Sequence, residues 1–229
     1  PCIMGVRVKV SGGIPDEDAV TLARRQGKTG YMICSNHISF LDIFLLDSIL
    51  PVRFVAKKEI ESWPVFGLIS RAAGTLFIDR SRKRAVLEMA EKMNETLRAG
   101  ESVLFFPEGT TGEGRVLLPF YANLFASAVA TEAELIPVVI RYTQKGKVTT
   151  IPSYAGNIPL FTVMKRIVFS SGLEAEVQVL EPISSAGVDR KTLCAQTSAV
   201  MSAALGVPDA TAAKEEAVRQ RREAALKHD

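Results

Sequence analysis

A histidine and an aspartate five positions apart are the residues of this sequence best suited to acid–base chemistry. They are His37 and Asp42, in the run Ser-Asn-His-Ile-Ser-Phe-Leu-Asp that spans residues 35–42. A carboxylate that accepts a hydrogen bond from one imidazole nitrogen fixes the tautomer, so that the other nitrogen can take a proton. The second histidine, His228, is next to the last residue, which leaves His37 as the serious candidate for imidazole chemistry.

The two side chains can meet only if the helix begins after His37. Positions five apart on one α-helix point about 140° away from each other. Ser39 and Asp42 match a capping box, which predicts a helix over residues 39–50 with Ser39 at its N-cap. The same pattern fits a plain turn in which Asp42 merely caps the helix, and this segment alone does not choose between the two. Capping and orienting are compatible, because a carboxylate has two oxygens.

Three later segments share one feature, an apolar run that ends in a short polar or glycine-rich turn. They span residues 74–80, 106–112 and 135–139. Ligand sites of α/β sheets gather at such strand ends. Arg80 ends the first segment among further cations near the start of a predicted helix, where the helix dipole disfavours positive charge. A bound phosphate would offset that repulsion, and a solvated charged turn is the alternative.

A carboxylate, two hydroxyls and a permissive glycine meet in the second of these segments. Glu108 can hold a hydroxyl group of a substrate, while Thr110, Thr111 and nearby N–H groups can face an anion or a developing oxyanion. A plain loop is the alternative. The sequence has no P-loop, G-x-S-x-G, H-E-x-x-H or complete G-x-G-x-x-G, so that nucleotide-binding, hydrolase and zincin functions lose support.

The composition indicates one globular domain of 229 residues, 47% of them hydrophobic. A charge of +3 from 28 basic and 25 acidic residues argues against a nucleic-acid partner. Three distant cysteines fit neither a disulfide scaffold nor a zinc site, which favours a cytosol-facing location. No uncharged run is long enough to span a bilayer, and a mean hydropathy of +0.16 suits a protein that rests on a membrane. Because the chain begins at Pro1, we leave open an anchor upstream of it.

Apolar runs alternate with amphipathic segments along the chain. Strands are predicted at residues 6–10, 31–34, 52–56, 75–78, 102–106, 135–142 and 173–180, the last of them closing the sheet. Helices are predicted at 39–50, from Trp63, and at 81–99, 119–131, 158–170, 189–205 and 210–227. This order predicts a single α/β domain with a mostly parallel or mixed central sheet flanked by helices.

Four blocks of the sequence resemble, in order and spacing, those of the glycerolipid acyltransferase family, which includes lysophosphatidic acid acyltransferases. The blocks are Asn36-His37 with Asp42, residues 74–80, residues 106–110 and Ile136-Pro137. The resemblance covers roughly residues 5–185 and leaves the helices of about 189–227 outside it. It implies one acyltransferase domain over residues 1–229 that moves an acyl group directly from acyl-CoA or acyl carrier protein to a lipid hydroxyl. No metal, other cofactor or covalent intermediate is implied.

The resemblance also gives roles to individual residues. They are a general base at His37, its orienting carboxylate at Asp42, a ligand for the acceptor's phosphate at Arg80, acceptor-positioning groups at Glu108 and Gly109, and a wall of the acyl pocket at Pro137.

Thr111 departs from the family pattern, because members acting on phosphate-bearing acceptors commonly have arginine there. Either Arg115 curls back to serve, or Arg80 alone holds the phosphate, or the acceptor carries no phosphate at that place. Lyso-ornithine lipid acyltransferases, a related branch, look similar in this block. From the family resemblance we expect 1-acyl-sn-glycerol-3-phosphate as acceptor, giving phosphatidic acid. Because of Thr111, lyso-ornithine lipid is the alternative. A non-catalytic lipid-binding module is the alternative from another class.

Membrane contact at the cytoplasmic face follows from the implied substrates, because lysolipid and product both reside in bilayers. Three apolar segments are candidate surfaces: residues 40–46, 63–69 and 161–169. Core packing explains the first equally well. The third adds Lys165 and Arg166 to its apolar residues, as surfaces that bind anionic lipid do, and it is the one we favour.

Overall fold

The computed structural model describes residues 2–13, 26–58, 75–78, 83–156 and 158–211. The helix predicted from Trp63, the candidate membrane surface at 63–69 and nearly all of the helix predicted at 210–227 lie outside these ranges. No helix in the described ranges is both long enough and apolar enough to cross a bilayer.

Nine strands form one mixed sheet in the described part of the chain. They are β1 Cys2–Ile3, β2 Val6–Ser11, β3 Met32–Ser35, β4 Val52–Lys57, β5 Leu76–Ile78, β6 Ser102–Phe105, β7 Leu135–Gln144, β8 Lys147–Val148 and β9 Leu173–Val179. Their order is β1-β2-β9-β7-β3-β6-β4-β5, with β8 paired to β7. Strands β7, β3, β6, β4 and β5 are parallel to one another, whereas β9 is antiparallel to β7. The predicted α/β class with a mixed sheet is confirmed.

Helices cover both faces of the sheet. They are α1 Leu41–Asp47, α2 Lys83–Arg98, α3 Ala126–Thr131, α4 Leu160–Val168 and α5 Arg190–Leu205, with a 3-10 turn at Ala122–Phe125. Helices α1 and α4 share a core with Ile33, and α2, α3 and α5 share the other core with Met32 and Cys34. Successive residues of β3 thus point to opposite layers, which explains why Met32, Ile33 and Cys34 are all apolar and buried.

Helix α2 follows the prediction closely. Its stripe of Met89, Met93 and Leu97 is buried, at the spacing of one helix face. Gly100 ends the helix with φ +77, and its N–H donates to the Leu97 carbonyl at 2.9 Å. This left-handed conformation is the one that glycine adopts without strain.

The prediction that residues 173–180 close the sheet is wrong. Strand β9 lies inside the sheet, because β2 runs parallel beside it and pairs from Arg7 with Glu174 to Ser11 with Gln178. Val6 and Val8 of β2 are buried in the same core as α4. The outermost strands of the described sheet are β1 and β5.

In the helix predicted at 119–131, a 3-10 turn begins only at Ala122 and the α-helix only at Ala126. Before that turn, the Phe120 N–H donates to Thr211 Oγ1 at 3.0 Å and the Tyr121 N–H donates to the Pro107 carbonyl at 3.0 Å. Both N–H groups thus bind acceptors in distant parts of the chain instead of carbonyls of a helix, so the segment that leads to α3 stays extended. Helix α1 is likewise shorter than the predicted 39–50.

Candidate active site

His37 lies in the turn between β3 and α1, at the carboxyl end of a central parallel strand. Since α1 begins at Leu41, His37 precedes the helix, as the meeting of the pair requires. Its Nδ1 lies 2.9 Å from Oδ2 of Asp42. The His37 side chain is 16% exposed and that of Asp42 is fully buried. The predicted contact is present, with the imidazole at the surface and the carboxylate behind it.

Asp42 is a buried carboxylate that accepts four hydrogen bonds. Its Oδ2 accepts from the Ile38 N–H at 2.6 Å and the Ser39 N–H at 2.9 Å, in addition to His37 Nδ1. Its Oδ1 accepts from the Tyr142 hydroxyl at 2.7 Å. Because Nδ1 faces an acceptor, it carries the proton, and Nε2 is the nitrogen that can remove a proton from a substrate.

Only one half of the predicted capping box is present: the Asp42 carboxylate reaches back to the Ser39 N–H, but the N-cap is Phe40 and not Ser39, and the Asp42 N–H donates to the Ser39 carbonyl instead of its hydroxyl. Ser39 Oγ accepts from the Leu41 N–H at 3.3 Å, and Asp42 accepts from the Ser39 N–H. The helix itself begins two residues later than predicted, with Phe40 before it. One carboxylate therefore both caps the start of α1 and orients His37, the two functions that the sequence left compatible.

The loop after β6 fixes His37 from the other side. The imidazole stacks on the Phe106 ring, with centroids 3.8 Å apart and an interplanar angle of 12°. The Gly112 N–H donates to the His37 carbonyl at 2.8 Å. Sequence reasoning treated Phe106 as the end of an apolar run and missed this contact.

Glu108 bridges two backbone segments. Its Oε1 accepts from the His37 N–H at 2.7 Å and its Oε2 from the Leu118 N–H at 2.9 Å. The side chain is buried. Burial raises the pKa of Glu108 to about 7, because the two N–H donors lower it less than burial and the Asp42 charge raise it. The structure thus gives Glu108 a bracing role, and its predicted contact with substrate stays a prediction.

The raised pKa of Glu108 makes folding stability pH-dependent. The folded chain holds the Glu108 proton more tightly than the unfolded chain, in which this carboxyl has a pKa of about 4.5. The resulting stabilisation of the folded state is full below pH 4.5 and is lost as the pH rises through 7. The loss is on the order of 3 kcal/mol. We expect the unfolding free energy of wild type minus that of Glu108→Gln to fall between pH 5 and pH 8 in urea titrations. A difference that is constant or rises with pH would contradict this.

The remaining predicted ligands of this loop are arranged differently. Gly109 has φ +68, a conformation that favours glycine, and Thr110 is exposed. The Thr111 hydroxyl donates to the Tyr154 carbonyl. Arg115 is 71% exposed, and its Nε lies 3.9 Å from a Glu113 carboxylate oxygen. In this structure Arg115 therefore pairs along the surface and does not take the place of the missing arginine.

Two other predicted residues fall elsewhere. Pro137 is buried in β7, where it pairs across the sheet with Cys34 of β3. Its place in an acyl pocket stays a prediction. Arg80 lies outside the described residues.

The loop that leads to α4 is tied to both halves of the site. The Tyr154 N–H donates to the Ile38 carbonyl at 2.9 Å, and Ser153 Oγ donates to the Gly112 carbonyl at 3.0 Å. With the Thr111 bond, these contacts join the histidine turn, the loop after β6 and the approach to α4.

Asn36 is a second residue that sequence reasoning left without a role. Its Nδ2 donates to the Ile140 carbonyl at 2.9 Å, and its Oδ1 accepts from the Ile140 N–H at 2.7 Å. The β3–β7 ladder ends at Ser35 paired with Val138, so the Asn36 amide continues it by one step. This bond holds the start of the histidine turn against β7. The sequence signal was an amide directly before the histidine.

No group of three or more His, Cys, Asp or Glu side chains among the described residues is arranged to hold a metal ion.

The sequence matches the Acyltransferase family over residues 14–141, more than half of the chain. This chain belongs to the acyltransferase family. The family predicted from the four blocks is thereby confirmed, and the matched region contains His37, Asp42 and Glu108.

Two relatives illustrate which members of the family this chain is similar to. It is 43% identical over 149 residues to 1-acyl-sn-glycerol-3-phosphate acyltransferase of Neisseria gonorrhoeae, an alignment that covers 65% of this chain and 58% of the relative. It is 33% identical over 198 residues to lyso-ornithine lipid O-acyltransferase of Pseudomonas aeruginosa, covering 86% and 72%. The chain thus spans little more than half the length of the first relative.

A solved structure has the same fold. It is the crystal structure of the 1-acyl-sn-glycerophosphate (LPA) acyltransferase, PlsC, from Thermotoga maritima, with a TM-score of 0.61 and 22% sequence identity. The match covers 88% of the present chain and 71% of that chain.

Proposed function

We propose that this acyltransferase moves a fatty acyl group from a thioester to the free hydroxyl of a lysolipid at the cytoplasmic surface of a membrane. The donor is acyl-CoA or acyl carrier protein. The observation that carries the proposal is the His37 imidazole, held at Nδ1 by the buried Asp42 while it stays partly exposed. In a member of this family, such a pair suits removal of a proton from an alcohol.

The reaction needs one base and no other activated group. Nε2 of His37 takes the hydroxyl proton of the acceptor as the hydroxyl oxygen attacks the thioester carbonyl carbon. The new ester C–O bond forms, the C–S bond breaks, and the proton returns from His37 to the leaving thiolate. Asp42 stabilises the imidazolium that exists between these steps. A thioester is already activated toward a well-placed oxygen nucleophile, so positioning supplies much of the remaining rate.

Our leading acceptor is 1-acyl-sn-glycerol-3-phosphate, with phosphatidic acid as product. Its support is the 43% identity to the Neisseria relative, and Arg80 is the proposed phosphate ligand. Lyso-ornithine lipid is the second candidate, for a specific reason. At this loop Thr111 stands where relatives with phosphate-bearing acceptors commonly have arginine, and its hydroxyl donates to the Tyr154 carbonyl. Arg115 lies beside Glu113 instead, so the loop directs no unpaired cation toward a phosphate.

The purified protein, offered either acceptor with acyl-CoA or acylated carrier protein, decides between these substrates. We expect diacyl product, identified by mass spectrometry, from lysophosphatidate at a higher kcat/KM than from lyso-ornithine lipid. An Arg80→Met variant should lose the phosphate-bearing acceptor selectively. Preference for lyso-ornithine lipid would transfer the proposal to the second candidate. Lipid binding without product from either acceptor would instead support a non-catalytic module.

Helix α4 is the proposed membrane-docking surface. One side buries Val163 and Ile167 in the core, while Phe161 is 65% exposed and Phe169, just after the helix, is 83% exposed. Lys165 Nζ lies 4.6 Å from the Phe161 ring centroid. Aromatic side chains beside cations suit the headgroup region of an anionic bilayer. The first candidate surface, residues 40–46, is mainly core, because Phe40, Leu41, Leu45 and Leu46 are buried.

Charge reversal on α4 tests this surface. Each basic residue near an anionic membrane contributes about 1 kcal/mol, so Lys165→Glu with Arg166→Glu should weaken sedimentation with phosphatidylglycerol vesicles by at least about 30-fold. The matched control is Arg190→Glu with Lys191→Glu on α5, which packs on the opposite face of the sheet. Equal losses in the two double variants would mean a nonspecific charge effect and would reject α4 as the docking surface.

A further inference from the structure

The buried hydroxyl of Tyr142 contacts the same carboxylate that holds the histidine. It donates to Asp42 Oδ1 at 2.7 Å, whereas the other three donors to Asp42 converge on Oδ2. Tyr142 is 1% exposed and Asp42 is fully buried, so solvent does not compete for this bond. A hydrogen bond to a charged, buried acceptor is among the stronger ones in a protein.

The sheet register places Tyr142 at this position. Strand β3 stops pairing with β7 at Ser35 and Val138, but β7 continues to Gln144 alongside β9. Tyr142 is therefore beyond the end of β3, under the turn that carries His37. The Asn36 amide, bonded to both backbone groups of Ile140, holds this part of β7 at a fixed distance from the turn.

The hydroxyl is a permanent donor. Burial and the Asp42 charge raise the pKa of Tyr142 well above its usual value of 10, so it keeps its proton at every pH at which an enzyme of this kind works. Glu108, whose carboxylate accepts from the His37 N–H, is the other titratable group in contact with the pair among the described residues. It is common to wild type and Tyr142 variants, so differences between them report the tyrosine.

We propose that Tyr142 is a positioning residue of the acyl-transfer reaction, which acts through Asp42. Its O–H fixes the carboxylate rotamer and draws part of the negative charge toward Oδ1, and so sets how strongly His37 holds a proton at Nε2. The inference rests on the proposed function, but the proton affinity of His37 can be measured without any substrate.

Tyr142→Phe removes the hydroxyl and keeps the ring that fills the core. Loss of the donor leaves more charge on Asp42 to stabilise the imidazolium, so His37 should hold its proton more tightly. We expect the titration midpoint of the His37 ring, followed by NMR with His228 as the only other histidine, to rise by about 0.5–1 pH unit. The acid limb of kcat/KM should move up equally. Because Asp42 Oδ1 also loses the donor that fixes its rotamer, His37 is oriented less well, and kcat should fall about tenfold with KM little changed.

Two further proteins separate positioning from packing. Site-specific 3-fluorotyrosine at position 142 is a stronger donor of the same shape, so the His37 midpoint should move down instead of up. In an Asp42→Asn background, Tyr142→Phe should change kcat by less than about twofold, since coupled residues are not additive. Tyr31→Phe, at the other end of β3, is the matched control. It should leave the titration midpoint of His37 and the acid limb of kcat/KM unchanged.

An unchanged His37 midpoint in Tyr142→Phe, or movement in the same direction in both Tyr142 proteins, overturns the inference. So does a loss of kcat that is as large in the Asp42→Asn background as in wild type. If the midpoints move as expected but no acceptor is acylated, the proposed function fails and the coupling of Tyr142 to His37 stands.

Discussion

His37→Ala should reduce kcat for acyl transfer by about 10²- to 10⁴-fold, the usual loss when a general base is removed. The variant keeps the backbone bonds of His37 to Glu108 and Gly112, which do not involve the ring, and loses the ring's contacts with Asp42 and Phe106. Thiol release from the donor, measured with acceptor present, gives the rate, and thermal melting verifies that the variant folds.

His228→Ala is the matched control, since it removes the second histidine of the chain. It should retain wild-type turnover. Turnover of His37→Ala within about tenfold of wild type would exclude His37 as the base.

Asp42→Asn, made alone, should greatly reduce kcat for acyl transfer while it preserves most of the fold. Three donors converge on Oδ2, so the amide oxygen of the asparagine should take that position. Its NH₂ then faces Tyr142, whose hydroxyl can turn and accept. Residue 42 thus keeps as many hydrogen bonds as before, but its negative charge is lost. We expect kcat to fall at least about 10²-fold, because the imidazolium loses its counter-charge.

Melting temperature and kcat of the same Asp42→Asn protein measure the two contributions separately. A small fall in melting temperature with a large fall in kcat supports an electrostatic role for the carboxylate. If kcat falls only in proportion to the folded fraction, Asp42 is a helix cap and no more.

The parts of the fold that depend on local sequence could be predicted. Helix α2 follows from the spacing of Met89, Met93 and Leu97, and seven of the nine described strands have an apolar or alternating segment of their own. The two-residue strands β1 and β8 have no such segment and were not predicted. The position of β9 within the sheet could not be predicted from the local sequence. Alternation of Val6 and Val8 with charged residues shows that a strand is half buried, but it does not show which strand lies beside it.

The same distinction holds in the site. His37 and Asp42 are five positions apart, so one turn brings them together and the sequence could indicate it. Tyr142 is 100 positions from Asp42, and its contact depends on how far β7 extends past β3. Thr111 marked a departure from the family pattern, but only the structure gives its partner, the Tyr154 carbonyl 43 positions on. The sequence therefore could indicate the proposed base, whereas its surroundings depend on tertiary register.

Direct transfer from thioester to hydroxyl is tested most directly by mixing the protein with its thioester donor before any acceptor is added. If His37 acts as a general base, no rapid burst of thiol should appear, intact-mass spectra should show unmodified protein, and thiol release should begin when lysolipid is supplied. A burst approaching one thiol per protein chain, together with an acylated protein mass, would contradict this account by showing a covalent intermediate.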